Sequence, residues 1–140
     1  MVISTLGKVL ADDNREATWH ERNDDEDTTT VRLQAADLDG DGVDEVFEET
    51  QYTRRGWIIG ALDAYGINRS ALSSALHVQT SYDDSGMARE GGDTHCEATW
   101  EVGRSELIIT AKKASGPDVT TQCTKSTRYE LRSGKFVSLR

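Results

Sequence analysis

From Cys96 to Val102 the side chains alternate strictly, with Cys96, Ala98, Trp100 and Val102 on one side and Glu97, Thr99 and Glu101 on the other. A period of two is the signature of an extended strand with one buried face. After Gly103-Arg104, whose Gly-X chemistry predicts a tight hairpin, Leu107, Ile109 and Ala111 resume the alternation. Tyr129 and Leu131, a Ser133-Gly134 turn, and a return from Phe136 or Val137 to Leu139 repeat the design. Val31, Leu33 and Ala35 make another half-apolar run, and Val46-Phe47 opens one that reaches Tyr52. Trp57 to Leu62 is apolar on both faces, as a strand at the centre of a sheet or between layers would be. The 15 Thr, 9 Val and 6 Ile agree with strands, because branched side chains pack well on a pleated surface.

Two segments are less determined. In Asn68 to Thr80, Ala71, Leu72, Ala75 and Leu76 recur at helical spacing, while Leu76 and Val78 equally start a strand. Residues 83–95, rich in Asp and Gly, read as a long loop. The fold expected is mainly β, a small antiparallel sheet domain of sandwich or open-barrel type with one short helix at most.

The 140 residues fit one domain, 1–140: Pro117 is the single proline, and the glycines are scattered rather than gathered into a linker. Leu, Ile, Val and Phe supply 27 residues, 19% of the chain, at the edge of what sustains a folded state against high net charge. A core this thin calls for another source of stability. No apolar stretch approaches the roughly 18–20 residues of a membrane helix, and no basic start with an apolar run marks an export signal within these residues.

Charge narrows the partners. Residues 1–51 hold 15 acidic and 4 basic side chains, so the whole excess behind the net charge of −9 lies in the first third. Such a field repels nucleic-acid phosphates and anionic lipid and attracts cations or a basic partner.

The densest acidic stretch also has a pattern. In Asp37-Leu38-Asp39-Gly40-Asp41-Gly42-Val43-Asp44-Glu45, carboxylates stand at every second position before a glycine. A chain curled at Gly42 brings Asp37, Asp39 and Asp41 to one point, with the Val43 carbonyl next and Glu45 closing the cage. Carboxylates gathered this closely repel unless a cation sits among them. Calcium suits the set: it takes 6–8 oxygens at about 2.3–2.6 Å in flexible geometry, whereas magnesium demands a tighter octahedron and keeps its waters. Zinc prefers nitrogen and sulfur, which the loop lacks. An EF-hand needs an aliphatic residue where Asp44 stands and flanking helices where Thr28–Ala36 and Val46–Tyr52 read as strands, although Glu48 does occupy its twelfth position.

Asp-x-Asp-Gly-Asp-Gly-x-x-Glu after a strand, followed by an aliphatic residue, resembles the FG-GAP and VCBS repeats of integrin-alpha-like propellers, where the loop joins neighbouring strands and binds calcium. The resemblance covers residues 31–47. It implies Asp37, Asp39, Asp41 and Glu45 as side-chain ligands and Val43 as a carbonyl ligand. One loop in 140 residues excludes a full propeller, which needs about four four-stranded blades.

Cys96 and Cys123 are the only cysteines, and pairing them would tie two C-terminal elements across 27 residues, a bridge that the loop-entropy account values at about 3–4 kcal/mol. Calcium loops suited to millimolar extracellular calcium and a disulfide agree on an oxidising, extracellular or periplasmic compartment, any export signal lying outside these residues. His95-Cys96 lacks metal-ligand spacing. His20, His77 and His95 match no metalloprotease spacing, and there is no nucleophile elbow or phosphate-cradling loop, so the reading is non-enzymatic, with a Cys-His nucleophile a remote option. Asp24-Asp25-Glu26-Asp27 reads as a solvated turn, or else as a second cation patch or basic-partner surface.

These features predict an exported, calcium-binding β domain acting as a binding or structural module of the cell envelope or secreted fraction. An acidic inhibitor or immunity-like protein for a basic partner, supported by residues 12–27, is the second possibility. A hydrolase with an unrecognised site is the third, and a cleft holding His77 or His95 beside a carboxylate would favour it.

Overall fold

Alternation carries most of the chain into strands, each antiparallel to its neighbour. The computed structural model describes residues 2–3, 9–11, 16–22, 28–54, 56–68, 71–87, 93–116, 123 and 125–139. Strands β1 (Val2–Ile3) and β2 (Val9–Ala11) form a two-stranded ribbon. Nine more form one open sheet: β3 (Glu16–Arg22), β4 (Thr28–Ala36), β5 (Glu45–Arg54), β6 (Trp57–Asn68), β7 (Ala71–Asp83), β8 (His95–Val102), β9 (Leu107–Ser115), β10 (Thr127–Arg132) and β11 (Lys135–Leu139). Their order in the sheet is their order in the chain, an uninterrupted meander that is neither a closed barrel nor a propeller. Among the described residues there is no α-helix, and 3₁₀ geometry is confined to the turn Ser85–Met87 and to Cys123.

The sheet folds onto itself where its pairing thins. Strand β7 joins β8 through Ser81, Tyr82 and Asp83 alone, whereas β4, β5 and β6 pair along their lengths. Strands β8–β11 thereby turn back over the β4–β7 layer. Phe47 of β5 stacks on Trp100 of β8 and meets Phe136 of β11 edge-on, each with ring centroids 6.2 Å apart, although β11 stands six strands away in sheet order. Phe47, Leu62, Ala64 and Val78 from one layer and Ala98, Trp100, Leu107 and Ile109 from the other make the core. Fully burying a side chain such as Leu62 or Phe47 contributes about 1.5–3 kcal/mol, so a core of this size depends on each of its large members.

Cys96 and Cys123 form a disulfide inside this core, with Cα atoms 5.9 Å apart and both residues buried. The expected pairing is present, and it pins Cys123, from the connection between β9 and β10, against β8.

Both expected hairpins form. Ser133 and Gly134 take φ of 51° and 74°, the doubly left-handed pattern of a two-residue turn whose twist suits the strands it joins. In the β8–β9 hairpin the bend lies one residue beyond the expected Gly103-Arg104: the Gly103 N–H donates to the Glu106 carbonyl at 2.8 Å, leaving Arg104 and Ser105 at the tip.

Of the segment from Asn68 to Thr80, open between helix and strand, Asn68 ends β6 and residues 71–80 are strand, residues 69–70 lying outside the described residues. Leu76 and Val78 pair with Ala64 and Leu62, and a bulge leaves Ala75 without a partner between Leu76 and Ser74. That inserted residue breaks the period of two and produces the spacing that imitates a helix. Of the expected loop at 83–95, Asp83 ends β7, His95 begins β8 and residues 88–92 lie outside the described residues; its two ends are tied together. There the Thr94 N–H donates to Asp84 Oδ1 at 2.7 Å and the Asp84 N–H to the Thr94 carbonyl at 3.2 Å.

Candidate metal centre

The acidic loop joins β4 to β5, spanning the eight residues between Ala36 and Glu45, which are themselves cross-strand partners. It is therefore a hairpin connection held at both ends by the sheet. Gly40 and Gly42 have φ of 76° and 87°, a conformation that costs other residues a steric penalty, and nothing lies within 4 Å of where their side chains would be. Glycine is required here by backbone conformation, not by space.

The carboxylates organise the loop before any ion is considered. Asp37 Oδ1 accepts the N–H groups of Gly40 and Asp41 at 2.8 and 3.1 Å, and Oδ2 accepts that of Gly42 at 2.9 Å. Asp39 Oδ1 accepts the Asp41 N–H at 3.2 Å, and Asp41 Oδ1 accepts that of Val43 at 2.7 Å. Glu45 Oε2, from the first residue of β5, accepts the Leu38 N–H at 2.8 Å, while Leu38 plugs into the core.

Asp37, Asp39 and Glu45 each place a carboxylate oxygen within 4.8 Å of the others. Two oxygens on one calcium ion at about 2.3–2.6 Å can be no more than about 4.6–5.2 Å apart, so the three oxygens lie within reach of one such ion. Asp41 belongs to the loop but not to this convergent group, and Val43 is 40% exposed at its rim. Glu45 is only 4% exposed, and burial raises its pKa above the ordinary carboxylate value. The Leu38 N–H opposes that rise, while the neighbouring charges of Asp39 and Asp41 add to it. A buried carboxylate beside two like charges gains from a cation, and an all-oxygen donor set of this kind fits a hard one.

The histidines divide. His77 and Asp63 are cross-strand partners on β7 and β6, joined through Nδ1 and Oδ1 at 2.6 Å on an exposed surface. His95 Nδ1 lies 3.2 Å from Asp83 Oδ2, and both line an open cleft at the crease between β7 and β8. Ser85 hydrogen bonds, with a smaller contribution from His95, hold Asp83 below its usual pKa. His95 Nε2 is buried and has no hydrogen-bond partner. The side chains of His20 and the 12–27 acidic segment, including Asp24–Asp27, lie outside the described residues. The cleft was not foreseen from sequence: its lining is drawn from five strands, β4 to β8, between residues 30 and 100, and only their pairing register assembles it.

No family model matches the chain, and neither a curated protein nor a solved structure matches it significantly. Among the described residues no helix is long and apolar enough to cross a membrane.

Proposed function

We propose that the chain is an exported, calcium-stabilised β domain that serves as a non-catalytic binding or structural module. The observation that carries this reading is the convergence of Asp37, Asp39 and Glu45 on one point of a strand-connecting loop. The FG-GAP and VCBS resemblance of residues 31–47 agrees with it and adds Asp41 and the Val43 carbonyl as further ligands. The buried disulfide suits the oxidising compartment in which millimolar calcium is found. Calcium neutralises the clustered carboxylates and fixes the angle at which β4 hands the chain to β5. Because the ion binds the folded loop and not the unfolded chain, stability rises with calcium by mass action, about 2.7 kcal/mol at a hundred times the dissociation constant.

Isothermal titration with calcium, with magnesium as control, tests the reading. Wild-type protein is expected to give a saturable one-site isotherm at millimolar calcium or below and Asp39→Ala to abolish it. A flat wild-type trace defeats it.

A second reading, a hydrolase, draws on the Asp83–His95 pair at the cleft. A base oriented by a carboxylate usually has a nucleophile on its other nitrogen, and the unpartnered His95 Nε2 has none, which places this reading behind the first. It requires turnover of a chromogenic ester or glycoside that His95→Gln removes.

A further inference from the structure

The face of β4–β7 that carries the core changes character along the strands. Gln34, Phe47, Ala64 and Leu76 form one cross-strand row, and Arg32, Glu49, Leu62 and Val78 the next. The following row, Thr30, Gln51, Gly60, Ser81 and Glu97, is polar from β4 to β8, and beyond it Ile58 is followed by Asp83 and His95. One continuous surface thus starts as core and ends as the floor of a cleft. Trp100 walls it, its ring under the Arg32 guanidinium at 4.4 Å and its Nε1–H donated to Glu49 Oε2 at 2.8 Å.

Gly60 sits at the centre of its row, where the space a side chain would take is filled by Ser81 Oγ and Thr80 Oγ1. The bulge opposite it leaves Thr80 without a cross-strand partner, 1% exposed and with its hydroxyl making no hydrogen bond, on the cleft lining. Buried hydroxyls are ordinarily satisfied, so an orphan beside a cavity offers a hydrogen bond to whatever fills it. The cleft has two lobes, about 300 and 250 Å³, which share Gln51, Ser81 and Glu97. Its size falls within the range of about 300–1,000 Å³ for small-molecule sites.

We propose that this cleft binds a neutral, hydroxyl-rich ligand, a sugar. The lining mixes donors and acceptors on every side. An anion would face the carboxylates of Glu49, Asp83 and Glu97. An ammonium ligand brings only donors, so it would leave the amide N–H groups of Gln51 unanswered and would meet the Arg32 guanidinium. A hydroxyl donates and accepts at once and answers both kinds of wall. The site stands apart from the acidic loop and does not depend on calcium there.

The test is protein-observed NMR on the full chain with a panel of neutral mono- and oligosaccharides, with 1,4-diaminobutane and inorganic phosphate as contrasting probes. At least one sugar is expected to give saturable shifts at the Ser81 and Glu97 amides and the Trp100 indole N–H. Gln51→Ala is expected to weaken that binding at least tenfold without changing the rest of the spectrum. Thr80→Val keeps the side-chain shape, so it leaves the melting temperature unlowered while weakening the sugar. No response to any sugar at concentrations on the order of 100 mM, response only to the diamine or phosphate, or shifts confined to another surface would each overturn the proposal. Unchanged sugar affinity in both variants would overturn it as well.

Discussion

Glu45 is the residue at which burial and charge pull in opposite directions. It is 4% exposed, its carboxylate accepts the Leu38 N–H, and burial pushes its pKa up. Glu45→Gln keeps the shape and a carbonyl acceptor for Leu38 while removing the buried charge. In chelator-treated protein the variant is expected to be more stable than wild type by about 1 kcal/mol and to lose the calcium-induced rise in melting temperature. A variant less stable without calcium would show that Glu45 needs no cation. Asp83 works the other way. Its pKa is lowered, by Ser85 first, so its contribution to stability is present above the unfolded value of 3.8 and fades as pH falls through the lower folded value. Urea midpoints measured against pH should place Asp83→Asn below wild type near neutrality, with the gap closing below pH 3.8.

At the scale of elements, the sequence made most strands legible because one face of each is buried, which forces the period of two. Strand β8 is the clearest, with Cys96, Ala98 and Trp100 buried between exposed neighbours. Legibility failed where a bulge adds a residue: Ala75 moves the apolar positions of β7 off the alternation, and Thr80 does so again nearer the crease. The loop was legible as a connection between two strands that turns at Gly42, since both follow from local chain geometry; of its spaced carboxylates, Asp37, Asp39 and Glu45 converge and Asp41 does not. The cleft was not, because Gln51, Gly60, Ser81 and Glu97 become neighbours only through register. The disulfide joins β8 to the connection before β10, where pairing between β9 and β10 covers only Thr127 to Tyr129. Cys96→Ala/Cys123→Ala is expected to lower stability by about 3–4 kcal/mol in chemical denaturation. Native protein alkylated without reductant should show no modified cysteine by mass spectrometry, whereas two modified thiols would refute the bridge.

For the whole molecule, a meander gives many short-range pairings but no closure, and the second layer is held over the first by few groups. Phe47 touches both Trp100 and Phe136 and is the hinge pin of that arrangement. Truncation to Ala should cost about 3–5 kcal/mol relative to wild type, and the same amount with and without calcium. A core this limited leaves a larger share of the stability to the disulfide. The most direct check of the proposed calcium site is a crystal structure grown in calcium with anomalous data. One calcium peak is expected there at about 2.3–2.6 Å from oxygens of Asp37, Asp39, Asp41 and Glu45 and of the Val43 carbonyl. An ordered loop with no peak there, its carboxylates turned to solvent at millimolar calcium, would contradict it.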